Sequence, residues 1–445
     1  MTTTYEEAVA QTRDLLAKGN AKEAFALFRP QLSFPGALET DARWEEALEL
    51  FAGISDGIGD TKLGALLRDT ARTYNDPNAL WDLGYQLVER RLHDFAATVL
   101  ARSNLLGPGR ERTLSWLVRA FEEIGRHDEV CRALKQAKAA LEKSAFLRYL
   151  LAFNAVMTRD LAEATAHLPG LLETARTAKH EDFPFMAKTI EGFLARAQAV
   201  REVTPLDETD LRGWHFVVNG SLVLHLSPFG FAEGMRGRYG FINDTPALCH
   251  EGILRLLALL QALDVAVPRV FLLPDRDSEA LGRAAAKAFG IPTAPWKDGH
   301  GPGLVVAYDL LAVEKEVRTT LASHAPGQVL WAHTQCWTQR MPFGGDAVTM
   351  LQQARLSPWD GGFVQDPATK ELRRGKPGEG TPEQLAERIV GARVEPDALA
   401  DLAKLVALAR AACKMTGEHA PGLVRREGTR RNAWAESPVA SSRFG

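Results

Sequence analysis

The apolar positions of the first half recur at a fixed step. Starting from Pro77 and moving 34 residues at a time, Leu83, Leu117 and Leu151 coincide. So do Gly84, Val118 and Ala152, then Ala96, Val130 and Ala164, then Leu100, Leu134 and Leu168. One slot between them holds Arg91, Gly125 and Arg159, and Pro108 closes the first unit. Within each unit apolar residues are three and four apart, which predicts two amphipathic helices joined by a tight turn. The units are 77–110, 111–144 and 145–178. The stretch "GNAKEAFALF" (19–28) repeats the turn and second helix, with Gly19, Ala24 and Phe28 at the offsets of Gly125, Val130 and Leu134. Residues 39–76 are longer than the repeat and fit it poorly, though their pattern is helical. A helix over 181–200 is expected to end the array.

The period then changes. "WHFVVNGSLVLHLS" (214–227) predicts two strands turning at Asn219-Gly220, a dipeptide suited to a tight hairpin. The irregular, Gly-rich segment 228–241 follows. Thr245-Pro246 supplies an N-cap and first-turn proline for a long apolar helix over 246–263. Strands at 269–273, 303–308 and 328–333 then alternate with helices at 278–289 and 312–324. These strands are short, apolar and rich in β-branched or aromatic residues, as expected of a parallel sheet covered on both faces. A polar hairpin is predicted at 362–374. "TPEQ" (381–384) reads as a capping box opening a pair of helices that reaches about residue 414.

The pattern therefore predicts an α-solenoid over 1–205, an α/β domain with a mostly parallel sheet over 206–415, and a basic tail over 416–445. The tail has few apolar anchors and no period, so by itself it is expected to be flexible. Trp434 and Phe444 are its candidate docking residues, with the solenoid groove as one place for them. Its charge comes from Arg425, Arg426, Arg430, Arg431 and Arg443.

Composition narrows the class. The 445 residues carry 53 Lys and Arg against 56 Asp and Glu, a formal charge of −3, and neither half has the basic excess of a nucleic-acid binder. Four cysteines, Cys131, Cys249, Cys336 and Cys413, form no C-x-x-C pair, so neither a structural zinc site nor a disulfide framework is expected. No window approaches the roughly 18 apolar residues of a membrane span. The N-terminus has no basic region followed by an apolar run, so no signal peptide is expected and the cytoplasm is the expected location.

Ligands of an open parallel sheet bind beyond the carboxyl ends of its strands. Those ends offer Asp275, Arg276 and Asp277 after the first strand, Tyr308 and Asp309 after the second, and His333 at the end of the third, with Cys336 just beyond. Arg236, Arg238 and Tyr239 of the Gly-rich segment precede a helix N-terminus, which favours an anion. Such a set suits a phosphate, a sugar hydroxyl or a metal. Each residue also has a plain structural reading. Asp277, Ser278 and Asp309 suit helix caps, and His333 and Cys336, between Trp331 and Trp337, suit a core. No P-loop, G-x-S-x-G or H-E-x-x-H is present, and no cofactor is specified.

The first half resembles the tetratricopeptide repeat family. The resemblance rests on "WDLG", Ala96 and the closing Pro108 in 77–110, and on the retained spacing in 111–144. It implies a concave face that binds a protein or peptide. Residues 248–335 resemble the type I phosphoribosyltransferase fold through "VFLLPDRDSEALGRAAAKAFGIP". That family's next strand carries two acids and a Thr-Gly phosphate loop. Here those positions hold Tyr308 and Asp309, then Val313 and Glu314. A Val and a Glu remove the room for backbone N–H groups to close around a phosphate, and the Glu adds like charge. The resemblance thus implies the fold without the ribose-phosphate site. The expected function is a protein-interaction scaffold with a non-catalytic α/β domain. The alternative is an enzyme or sensor for a nucleotide or phosphosugar at the strand ends.

Overall fold

The computed structural model describes residues 4–38, 40–177, 182–230, 234–297, 301–425 and 428–441. Phe444, Arg426 and Arg443 lie outside them. The chain forms two units that meet within one helix, at Ile190 and Glu191.

The first unit is all helix. Its elements are α1 (Tyr5–Ala17), α2 (Ala21–Leu32), α3 (Asp41–Gly57), α4 (Thr61–Arg72), α5 (Pro77–Glu89), α6 (His93–Leu106), α7 (Glu111–Glu123), α8 (His127–Gln136), α9 (Lys138–Lys143), α10 (Ala145–Met157), α11 (Leu161–Thr177) and α12 (Asp182–Val200), the last shared with the second unit. Helices pair as hairpins because the turn between partners takes one residue in the left-handed region. Those residues are Gly19, Gly59, Arg91, Gly125 and Arg159, with φ of 75°, 96°, 59°, 69° and 67°. Two arginines adopt the conformation that glycine takes most easily, so the repeat is geometric where its sequence varies. Within residues 40–76, α3 and α4 form such a hairpin too, at a spacing different from the regular step. Leu83, Leu117 and Leu151 are buried, as are Ala96, Val130 and Ala164. Gly84 lets α5 approach α6: a Cβ there would come within 2.5 Å of Leu100.

The second unit holds α13 (Leu211–Asn219), β1 (Leu222–Val223), β2 (Tyr239–Asn243), α14 (Pro246–Ala262), β3 (Val270–Leu272), α15 (Arg276–Phe289), β4 (Thr293–Pro295), β5 (Gly303–Asp309), α16 (Lys315–Leu321), β6 (Ser323–His324), β7 (Gln328–Cys336), β8 (Ala347–Leu356), β9 (Phe363–Gln365), β10 (Leu372–Arg374), α17 (Pro382–Val390), α18 (Leu402–Ala412) and β11 (Gly428–Thr429). Seven strands make one parallel sheet in the order β1-β8-β7-β5-β3-β4, with β2 pairing further along β8. Every residue of β5 and β7 is buried, as a strand covered on both faces requires. From β3 the chain goes to β4 on one side and then to β5 on the other, so the strand order reverses between β3 and β5.

The hairpin expected at 214–227 does not form. Its first run is helix α13, whose N-cap Asp210 accepts from the N–H of Gly213 at 2.9 Å and whose end is Gly220 at φ 67°. Residues 211–218 are all buried, and an apolar run buried all round has no period to separate helix from strand. Strand β8 lies in a stretch read as having no element. The hairpin at 362–374 and the capping box at Thr381 form as expected.

The tail does not stand apart. β11 pairs antiparallel with β6, Met341 pairs with Ala433, and Arg430 is 5% exposed. Arg430 donates to the carbonyls of Leu321 (2.6 Å) and Ser323 (2.8 Å) and reaches Asp346 at 3.3 Å. Trp434 docks within the second unit: its backbone N–H donates to Asn219 at 2.7 Å, and Arg340 lies 4.9 Å from its ring. The anchor is a buried guanidinium, which a search for apolar residues passes over.

Candidate functional site

The reversal between β3 and β5 brings several predicted residues together. Asp275, not Asp277 or Ser278, caps α15, accepting from the Ser278 N–H at 2.9 Å. That frees Asp277 to accept from the indole N–H of Trp359 at 2.6 Å, and burial raises its carboxyl above the usual range. Asp309 accepts from the Leu311 N–H (2.9 Å) through one oxygen and from Arg355 (2.7 Å) through the other. Burial works against the charge of Arg355, but Asp309 outweighs it and the guanidinium's pKa is raised. Arg355 also lies 4.7 Å from the Tyr308 ring. Both oxygens of Asp309 are therefore engaged inside the protein. Val313, a few residues beyond, is itself buried. Arg276 stays exposed and donates to the carbonyls of Gly378 and Gly380.

His333 is not at a strand end. β7 runs on to Cys336, and His333 is fully buried within it, 3.1 Å from Asp244. Asp244, just past β2, also accepts from the Tyr308 hydroxyl at 2.5 Å and from the Cys249 thiol at 3.4 Å. Burial by itself would raise the Asp244 carboxyl. His333, Tyr308 and the Thr245 N–H outweigh it and hold the carboxyl below the usual range.

Arg236 and Arg238 are engaged within the protein rather than free. Arg238 is 4% exposed, bonded to Ser437 and Ser441, and Arg236 donates to the Glu208 carbonyl at 2.9 Å. Tyr239 joins a relay that sequence reasoning missed. Its hydroxyl lies 2.8 Å from His225 Nε2, and His225 Nδ1 lies 2.7 Å from Glu251. Arg255 donates to Glu251 at 2.6 Å and to Asp401 at 2.8 Å. With Glu251 accepting at Nδ1, Nε2 is left to accept from the tyrosine. Burial pushes the Tyr239 hydroxyl up to about 12, so it stays protonated and donates. The available signal was the spacing of Glu251 and Arg255, one turn apart on an otherwise apolar helix. A separate cleft of about 700 Å³ opens at the ends of β3 and β4, lined by Leu273, Pro274, Arg283, Trp296, Lys297 and Glu316.

In the first unit, α5 and α7 present part-exposed aromatic rings. Trp81 and Tyr85 stack with centroids 5.8 Å apart and planes at 8°. Tyr85 meets Trp116 edge-on at 4.8 Å. Exposed Arg112 lies over Trp81 at 4.5 Å.

No family model matches this chain, and no curated protein does. Solved structures are similar over part of it, among them two. One is a mutant of the protein MamA, 15% identical over 40% of this chain and 95% of that one, with a TM-score of 0.24. The other is TTC0263, a thermophilic TPR protein in Thermus thermophilus, 22% identical over 42% of this chain and 99% of that one, with a TM-score of 0.25.

Proposed function

We propose that this chain is a protein-interaction scaffold whose helical solenoid grips an extended segment of a partner protein through Trp81, Tyr85 and Trp116. One observation carries the reading: a cluster of three part-exposed rings, two stacked and the third edge-on, with a guanidinium over the first, on two successive hairpins. Rigid aromatics and arginine are the residues that dominate interface energetics, because they bury large areas at low entropy cost. Two of the rings stand one turn apart on α5, so they offer a firm surface rather than separate side chains. At the end of β5 the charge of Asp309 is already taken up by Arg355, which weakens the reading of that carboxylate as a ligand-binding group.

Peptides selected from a displayed library against the full chain test this. Their affinity for the Trp81→Ala/Trp116→Ala chain should fall by about 30-fold or more, the equivalent of a hot spot worth about 2 kcal/mol, with the helical circular dichroism retained. Selected peptides that bind both chains equally would overturn the proposal, and so would a library that yields none.

A further inference from the structure

Asp244, Cys249, Tyr308 and His333 come from the β2–α14 junction, α14, β5 and β7, and meet inside the second unit. All four are buried. The Asp244 oxygen, the Cys249 sulfur and His333 Nε2 lie within 4.8 Å of one another. The carboxylate oxygen is 3.1 Å from the imidazole nitrogen and 3.4 Å from the sulfur. A tetrahedral zinc ion with bonds of about 2.0 Å to oxygen and nitrogen and about 2.3 Å to sulfur sets its ligands about 3.3 Å and 3.5 Å apart. The two measured separations are within a few tenths of an ångström of those edges.

Charge points the same way. A buried carboxylate needs a cation or a metal beside it. Among the described residues the ion-pair partner of Asp244 is His333, with no lysine or arginine. The nearby guanidinium of Arg355 is engaged by Asp309. A divalent ion bound by one carboxylate and one thiolate leaves no net charge in the core, and His333 then serves as a neutral nitrogen ligand. Tyr308, 2.5 Å from Asp244, is placed to orient that carboxylate. We propose that Asp244, Cys249 and His333 bind a zinc-class ion as three of its four tetrahedral ligands, tying β2, α14 and β7 together. The two spacer lengths, from Asp244 to Cys249 and from Cys249 to His333, match no familiar zinc motif, so a reading of the sequence carries no warning of it.

The test uses the full chain, purified without a metal-binding tag or chelator. Elemental analysis should find about one zinc per chain. Prolonged chelation should lower the melting temperature of the second unit, and added zinc should restore it, because binding to a buried site is coupled to folding. Refolding with cobalt should give a thiolate-to-metal absorption band that Cys249→Ser removes. If that variant does not fold, the chelation and zinc arms on the unaltered chain still decide. A folded chain with less than about 0.1 metal per molecule and a melting temperature indifferent to chelator and zinc would overturn the proposal. It would leave Asp244 and His333 as a buried hydrogen-bonded pair.

Discussion

Asp309 shows how one side chain changes meaning with its partner. With both oxygens engaged, by Arg355 and by the Leu311 N–H, it works as a buried counter-ion. Asp309→Asn keeps an acceptor for Leu311 but leaves the Arg355 charge unpaired in a buried site. That should cost about 3 kcal/mol in denaturant unfolding, and Asp309→Asn combined with Arg355→Met should recover much of it. A stability change near zero in the single variant would return Asp309 to the role of a simple cap. The sequence shows Asp309 plainly, at the end of an apolar strand. It cannot show Arg355, which lies 46 positions on, in a strand with no visible period. The same holds for His333, whose partner Asp244 lies 89 positions earlier. Candidate residues were legible where local pattern marks them, and their roles depend on long-range partners that local pattern does not contain.

At the scale of elements, α13 is the instructive case. Asn219-Gly220 serves a helix end as well as it serves a hairpin, since both need a residue at positive φ. The deciding feature is Asp210, a helix N-cap a few residues before the apolar run. The solenoid was legible because its step repeats several times over, while α13 occurs once and is buried on every side. That burial has a pH signature. His215 sits fully enclosed in α13, and burial lowers its pKa from the ordinary 6.5 to about 3. Above pH 6.5 it is neutral folded and unfolded alike, and its full contribution is present. As pH falls below that, the unfolded chain takes a proton that the folded chain refuses, so stability drops by up to about 1.4 kcal/mol per pH unit until about pH 3. The melting temperature of the second unit should therefore fall more steeply between pH 6.5 and 4 in the unaltered chain than in His215→Gln. Parallel curves for the two would show that His215 is accessible to solvent in the native state.

At the scale of the whole molecule, no helix among the described residues is long and apolar enough to cross a membrane. Each unit builds its own core, one from hairpins stacked in chain order and one from strands that pair out of chain order. The second unit depends on Arg430 to pair with Asp346 and to satisfy carbonyls at and just past the end of α16. Arg430→Met, or removal of the residues after 425, should lower the melting temperature of this unit by about 6–12 °C, for a loss of about 3 kcal/mol in a unit of this size. Calorimetry on the full and shortened chains checks this, and an unchanged transition would mean that the segment is only draped on the surface. The late position of Arg430 also gives the chain a waiting time as it is made. The ribosome adds about 5–20 residues each second, and about 75 separate the end of β8 from Arg430, so the finished sheet spends roughly 4–15 s with Asp346 lacking its guanidinium. The hairpins of the first unit need only neighbours already synthesised and can close as they emerge. A nascent chain paused in that interval would carry a settled solenoid beside an unlatched sheet, which is the species a chaperone or protease would meet first.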